Sequence, residues 1–135
     1  ENKSIILIDD SLVRGTTSHK IVKMLYDAGA KEVHVRIACP EILYPDFYGV
    51  DMPTKKELLA NGKSNQEMCN YINAKSLKFL SISGLYKALG FGKRNKLYPQ
   101  ISDHYFTGEY PVKPTDSLGE RKITQLSLLS SKSNN

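Results

Sequence analysis

An α/β architecture with parallel strands is expected from three features of the sequence. Ile5-Ile6-Leu7-Ile8 is an unbroken apolar run with three β-branched residues. Such a run reads as a central strand covered on both faces. Val33 to Ala38 is a second strand-like run. Between them Ile21, Val22, Leu25 and Ala28 fall on one side of a helix, and Gly29 supplies a C-terminal stop. Strand, helix, strand in this order makes a βαβ unit and sets the strands parallel.

The next stretch, Cys39 to Asp51, mixes aromatic residues with prolines and reads as an irregular, ordered loop. Two capping boxes follow. Thr54 with Glu57 opens one short helix, and Ser64 with Glu67 opens another. Leu77 to Ile82 reads as a third strand, and Gly84 to Leu89 as a short helix ended by Gly90. From Phe91 the pattern weakens. Residues 4–111 form the folded unit in this reading, and 112–135 a C-terminal extension, disordered in part where Ser, Lys and Asn dominate. Three strands are few for a doubly wound sheet, so further strands are expected upstream of Glu1.

The chain has 135 residues, 40% of them hydrophobic and 24% charged, the composition of an ordinary soluble domain. No apolar run approaches the length that spans a bilayer, so no membrane partner is expected. The net charge of +5 permits binding to nucleic acid or to phosphorylated small molecules. The basic residues are scattered, and the one tight cluster, Lys93-Arg94 with Lys96, reads as a solvated loop. A nucleic-acid footprint needs a stripe, so no nucleic acid is expected. Cys39 and Cys69 are far apart and lack metal-ligand spacing, which fits a reducing cytoplasmic setting. His19 and His34 sit among polar neighbours and are expected to face solvent; His104 carries no signal. Tyr44, Phe47 and Tyr48 are expected to pack, with a nucleotide or product site as the alternative.

The chemistry concentrates where the first strand ends. Asp9 and Asp10 close that strand, and Arg14-Gly15-Thr16-Thr17-Ser18 leads into the helix. The carboxyl ends of parallel strands are where such folds bind ligands. Main-chain N–H groups at a helix start point outward with partial positive charge, a setting for phosphate. Gly15 lets the loop come close because it has no Cβ, and three hydroxyls add donors. The paired acids suit ribose hydroxyls or a divalent metal held by oxygen. A ligand with a phosphate at one end and a diol a sugar-length away fits both halves. Arg14 has two roles open to it, a phosphate contact or a surface ion pair.

Ile5 through Thr17 resembles the signature of type I phosphoribosyltransferases, which bind phosphoribosyl pyrophosphate (PRPP) on a Rossmann-like fold. Carried over residue by residue, the resemblance assigns Asp9 and Asp10 to the ribose hydroxyls and Mg²⁺, and Ser11, Arg14, Gly15, Thr16, Thr17 and Ser18 to the 5′-phosphate loop. Longer segments narrow the likeness: Ala28 to Ala38, Tyr44 to Thr54, Ala74 to Leu77, Leu80 to Leu85 and Phe106 to Pro111 are similar to the amidophosphoribosyltransferase subgroup.

That family makes 5-phosphoribosylamine from PRPP, glutamine and water, the first step of purine biosynthesis. The resemblance implies a partial type I phosphoribosyltransferase fold, a longer parent with an N-terminal glutaminase domain, a homo-oligomer, and purine nucleotides as further ligands. Ammonia displaces pyrophosphate at C1 there. The glutaminase nucleophile there is a first-residue cysteine, and Cys39 and Cys69, being interior, are not candidates for it; with half of the family's active site expected outside this chain, the fragment alone is expected to be inactive. Some members hold an iron–sulfur cluster by cysteines; the comparable positions here are Asp46, Ser102 and Tyr105, so no iron–sulfur cluster is expected.

Two other classes compete. A non-catalytic module binding PRPP or a nucleotide, or a remnant of the enzyme, would carry the same loop. A phospho-receiver signalling domain also opens with a strand ending in Asp-Asp, and Asp51-Met52-Pro53 and Lys113-Pro114 mimic its later motifs. No apolar strand leads into Asp51, however, and Gly15 to Ser18 has no place in a receiver.

Overall fold

The computed structural model describes residues 1–49 and 54–112. Its elements are β1 (Ser4–Asp9), α1 (Thr16–Asp27), β2 (Glu32–Ile37), a 3-10 turn (Lys55–Glu57), α2 (Asn65–Tyr71), β3 (Ser76–Phe79), α3 (Ile82–Ala88) and α4 (His104–Thr107). The receiver-like Asp51-Met52-Pro53 and Lys113-Pro114, and all but Val112 of the expected C-terminal extension, lie outside the described residues.

The strands form one parallel sheet in the order β1-β2-β3, with Ile5 opposite Val33, Leu7 opposite Val35, and Val35 opposite Leu77. This is the expected α/β class. Alternation decides the faces. Val33, Val35, Ile37 and Leu77 are buried, and they pack with Val22 from α1, with Met68 and Cys69 from α2, and with Ile72 at its C-terminal cap. Both helices therefore cover the same face. Each buried aliphatic contributes about 1.5–3 kcal/mol, whereas an exposed helix pair such as Lys23–Asp27 contributes about 0.3–0.5 kcal/mol. The sheet face, not surface charge, holds the layers together.

The expectation for the first strand needs correction. Among the described residues β1 lies at the edge of the sheet, not in its centre, and β2 lies in the middle. Ile6 and Ile8 are 66% and 73% exposed on the open face. An unbroken apolar run reports that both faces can be covered; among the described residues only one is. On the same open face His34 is half-buried rather than solvent-facing, its Nδ1 bonded to Ser76 Oγ at 2.8 Å. His19 is exposed, as expected.

The strand-to-helix boundary at β3 also shifts. Ile82, expected to end the strand, begins α3, because Ser81 accepts a hydrogen bond from Gly84 N at 3.0 Å and caps the helix. The second capping box forms as expected. Ser64 N donates to Glu67 Oε2 at 2.7 Å while Glu67 N donates back to Ser64 Oγ at 3.3 Å. Replacing Ser64 with alanine is expected to cost about 1 kcal/mol, read as a lowered urea midpoint with unchanged slope.

The weakly patterned segment from Phe91 to Val112 folds against Cys39 to Gly49. Leu43 N and Tyr44 N both donate to the Tyr105 carbonyl, and Tyr110 Oη donates to the Pro45 carbonyl at 2.8 Å. His104 and Asp46 are buried and bonded at 2.7 Å, with the Tyr48 ring edge-on to the imidazole. The packing expected of Tyr44, Phe47 and Tyr48 is partial: Tyr44 is half-buried, whereas Phe47 and Tyr48 keep ring contacts with Tyr110 and His104 but are 47% and 48% exposed. Arg94 contradicts its expected solvated setting: its side chain is 14% exposed and pairs with the buried Asp103. Among the described residues no helix is long and apolar enough to cross a membrane.

Candidate phosphate and diol cleft

β1 delivers Asp9 and Asp10 to the carboxyl edge of the sheet, and the chain turns through residues 11–15 before α1 begins. Asp9, Asp10, Ser11, Arg14, Gly15, Thr16, Thr17 and Ser18, together with Val13, line one cleft of about 290 Å³. Every residue singled out in the sequence for ribose, metal or phosphate therefore reaches the same space.

The helix start is open. Gly15 occupies the N-cap position at φ 77°, and no side chain caps α1. The first turn holds no acidic residue. His19 N returns to the Gly15 carbonyl at 2.9 Å, so the ordinary helical bonding begins there. The amides of Thr16, Thr17 and Ser18 precede it and form the partial positive end of the helix dipole. Ser18 is buried, while Thr16 and Thr17 are exposed.

The acids are arranged differently from one another. Asp9 is half-buried, and its Oδ1 accepts from Asp10 N at 3.0 Å. Asp10 is exposed, and its Oδ1 accepts from Ser11 Oγ at 2.7 Å. Among the described residues no hydrogen bond or ion pair reaches the second oxygen of either carboxylate. Such hard oxygens fit Mg²⁺, which takes one or two carboxylates and completes its shell with water and phosphate oxygens. Among the described residues no three His, Cys, Asp or Glu side chains converge into a closed metal cage. Cys39 stands nearby, and burial first, with the Asp10 charge adding to it, pushes its thiol up against the opposing effect of the Leu12 backbone; the sulfur stays protonated.

Gly15 is required for a reason the sequence did not disclose. A Cβ there would lie 2.6 Å from Leu59 Cδ2 and 3.0 Å from Tyr71 Cε1. The missing methyl makes room for the protein beneath the loop, in addition to allowing the left-handed φ. Leu59 N also donates to the Val13 carbonyl at 2.8 Å. His19 Nδ1 lies 2.9 Å from the Tyr71 carbonyl, tying α1 to the end of α2. These supports, Leu59 and Tyr71, were missed, because nothing in their local pattern points toward a loop forty residues away.

Arg14 makes an ion pair with Glu57, Nε to Oε1 at 3.4 Å. Glu57 Oε2 in turn accepts from Thr54 N at 3.1 Å and from Thr54 Oγ1 at 2.9 Å. Those Thr54 bonds, with Arg14 as a further cause, hold the Glu57 carboxyl below its ordinary value. Thr54 and Glu57 were read only as a helix start, and they open just a 3-10 turn.

A larger hollow of about 450 Å³ lies at the carboxyl end of β3, between Leu43, Leu77, Phe79 and Phe106. Its lining is mainly apolar, and it brings no paired acids to a helix start.

No protein-family model matches the chain. Curated relatives do. The chain is 54% identical over 132 residues to an amidophosphoribosyltransferase of Rhizobium etli, covering 97% of this chain and 27% of that protein. It is 50% identical over 121 residues to the chloroplastic amidophosphoribosyltransferase 2 of Arabidopsis thaliana, covering 90% of this chain and 21% of the relative. The chain thus spans about a quarter of the length of the curated relatives it matches. A solved glutamine PRPP amidotransferase from B. subtilis, complexed with ADP and GMP, superposes with a TM-score of 0.73 at 47% identity, over 82% of this chain and 24% of that one. A second solved structure, described as the allosteric regulatory enzyme of purine biosynthesis, gives 0.69 at 45% identity over the same shares.

Proposed function

We propose that this chain, homologous to a quarter-length segment of amidophosphoribosyltransferases, supplies the PRPP-binding half-site of such an enzyme, in the C-terminal part of its transferase domain. The observation that carries the reading is the cleft at the β1–α1 turn, where an uncapped helix start and two carboxylates face one space. The 5′-phosphate sits against the amides and hydroxyls of Thr16, Thr17 and Ser18. Asp9 and Asp10 accept hydrogen bonds from the ribose 2′- and 3′-hydroxyls. Their remaining oxygens would hold Mg²⁺, which when bound eases departure of the diphosphate by neutralising its charge.

In the parent reaction ammonia attacks C1, the bond from C1 to the pyrophosphate oxygen breaks, and phosphoribosylamine forms. The residues of this chain orient the sugar for that displacement rather than exchange protons with it. Binding energy gathered at the 5′-phosphate is expressed as alignment at C1. Glutamine hydrolysis, pyrophosphate contacts and assembly into an oligomer belong to the parent enzyme, and the chain alone turns nothing over. A second reading is favoured by the solved relative complexed with ADP and GMP: the same phosphate device takes a purine nucleotide as a regulator.

Calorimetric titration with PRPP in the presence of Mg²⁺ tests the assignment. Asp9→Asn combined with Asp10→Asn is expected to abolish PRPP binding while leaving the fold intact, since both side chains are at least partly exposed. Unchanged affinity in the double variant removes the acids from the site. Binding of GMP but not PRPP by the parent sequence favours the regulatory reading.

A further inference from the structure

We propose that Glu57 is a positioning residue for the phosphate cleft, acting through Arg14; the proposal rests on reading the cleft as a phosphate site. Three consecutive residues of the loop are each held by the segment that follows Thr54. The Val13 carbonyl accepts from Leu59 N at 2.8 Å, Arg14 Nε bonds Glu57 Oε1 at 3.4 Å, and Gly15 lies against Leu59 Cδ2. Glu57 is itself fixed, because both the amide and the hydroxyl of Thr54 donate to its other oxygen.

The geometry of the pair gives it a specific use. Glu57 engages Arg14 by Nε, and among the described residues the two terminal guanidinium nitrogens have no partner. Arg14 lines the cleft. A guanidinium held by one edge keeps its remaining N–H groups for an anion, and a planar donor pair matches phosphate oxygens. Both side chains are about half exposed, 51% and 49%. An ion pair so placed adds little to folding, so its consequence falls on where Arg14 is held rather than on stability. The two roles open to Arg14, surface pair and phosphate contact, are then parts of one arrangement.

The test is a double-variant cycle on the full chain, titrated calorimetrically with ribose 5-phosphate and monitored for unfolding temperature. Glu57→Gln is expected to weaken binding roughly fivefold at an unchanged unfolding temperature. Arg14→Ala weakens it at least as much. Adding Glu57→Gln to Arg14→Ala costs nothing further, since Glu57 acts only through that guanidinium. Full affinity in Glu57→Gln overturns the proposal, as does an equal loss that persists without Arg14. If Glu57→Gln unfolds, Glu57→Asp, which keeps the charge but shortens its reach, is read by the same criteria. Failure of the unaltered chain to bind either ribose 5-phosphate or PRPP overturns the phosphate reading itself, a result distinct from any pattern among the variants.

Discussion

Asp103→Ala is expected to destabilise the chain by about 3–5 kcal/mol, the cost of breaking a buried ion pair by removing one partner. The Asp103 side chain is 1% exposed and receives the guanidinium of Arg94 through both carboxylate oxygens. It also accepts from Tyr86 Oη at 2.8 Å, and Tyr86 is fully buried. Truncation leaves a phenol and a guanidinium without their acceptor, although Arg94 keeps Glu109 at 2.7 Å on the exposed side. Asp103→Asn should cost less, because the amide oxygen still accepts from one donor. Urea unfolding followed by circular dichroism measures both; a loss below about 1 kcal/mol for the alanine variant would be an ordinary surface effect and would remove the network from the stability of the fold.

The same network sets a pH dependence. Burial acts to raise the Asp103 pKa, but the hydrogen bonds from Arg94 and Tyr86 outweigh it and hold the group below its ordinary 3.8. A carboxyl depressed in the folded state contributes stability above its unfolded value, and that contribution is lost as pH falls through the folded one. Acid should therefore loosen the segment from Phe91 to Glu109 only below the ordinary carboxylate range, and Asp103→Asn should flatten that part of the stability curve.

What the sequence disclosed, and what it withheld, follows the range of the interactions. The β1–α1 turn was legible because its chemistry is contiguous: two acids, a glycine and three hydroxyls adjoin one another, and a helix start needs no distant partner to present its amides. The Ser64–Glu67 box was legible for the same reason. The Ser81 cap was overlooked because Leu80-Ser81-Ile82 continues a strand-like pattern, and the hydrogen bond to Gly84 N outweighs it. Arg94 and Asp103 were illegible, since they stand nine positions apart in irregular chain and no periodicity marks either. The apolar run of β1 disclosed a strand but not its rank in the sheet, because edge position depends on which neighbours are present. Gly15 lies between these cases: its place in the loop was read locally, but the side chains that require it come from Leu59 and Tyr71.

Those two side chains make Gly15→Ala the variant with the largest combined effect at the cleft. The left-handed φ of 77° costs a non-glycine residue about 1–2 kcal/mol, and the new methyl meets Leu59 Cδ2 at 2.6 Å. Forcing a methyl into such a packed contact costs typically about 1–3 kcal/mol, so the sum expected on unfolding is roughly 2–5 kcal/mol. Leu59 is buried in the core, which limits how far its side chain can yield; to the extent that the loop rises instead, the bond from Leu59 N to the Val13 carbonyl is strained and the amides of Thr16 and Thr17 are displaced. Affinity for ribose 5-phosphate should fall more than tenfold, beyond the loss expected from any single hydroxyl of the loop. Leu59→Ala added to Gly15→Ala separates the two causes. It removes the closest contact but neither the tighter-than-usual approach to the Tyr71 ring nor the backbone strain, and it opens a cavity beneath the loop. Binding should recover in part while stability does not. If Gly15→Ala binds and unfolds as the unaltered chain does, the loop is not held from below, and the amides owe their placement to α1 alone.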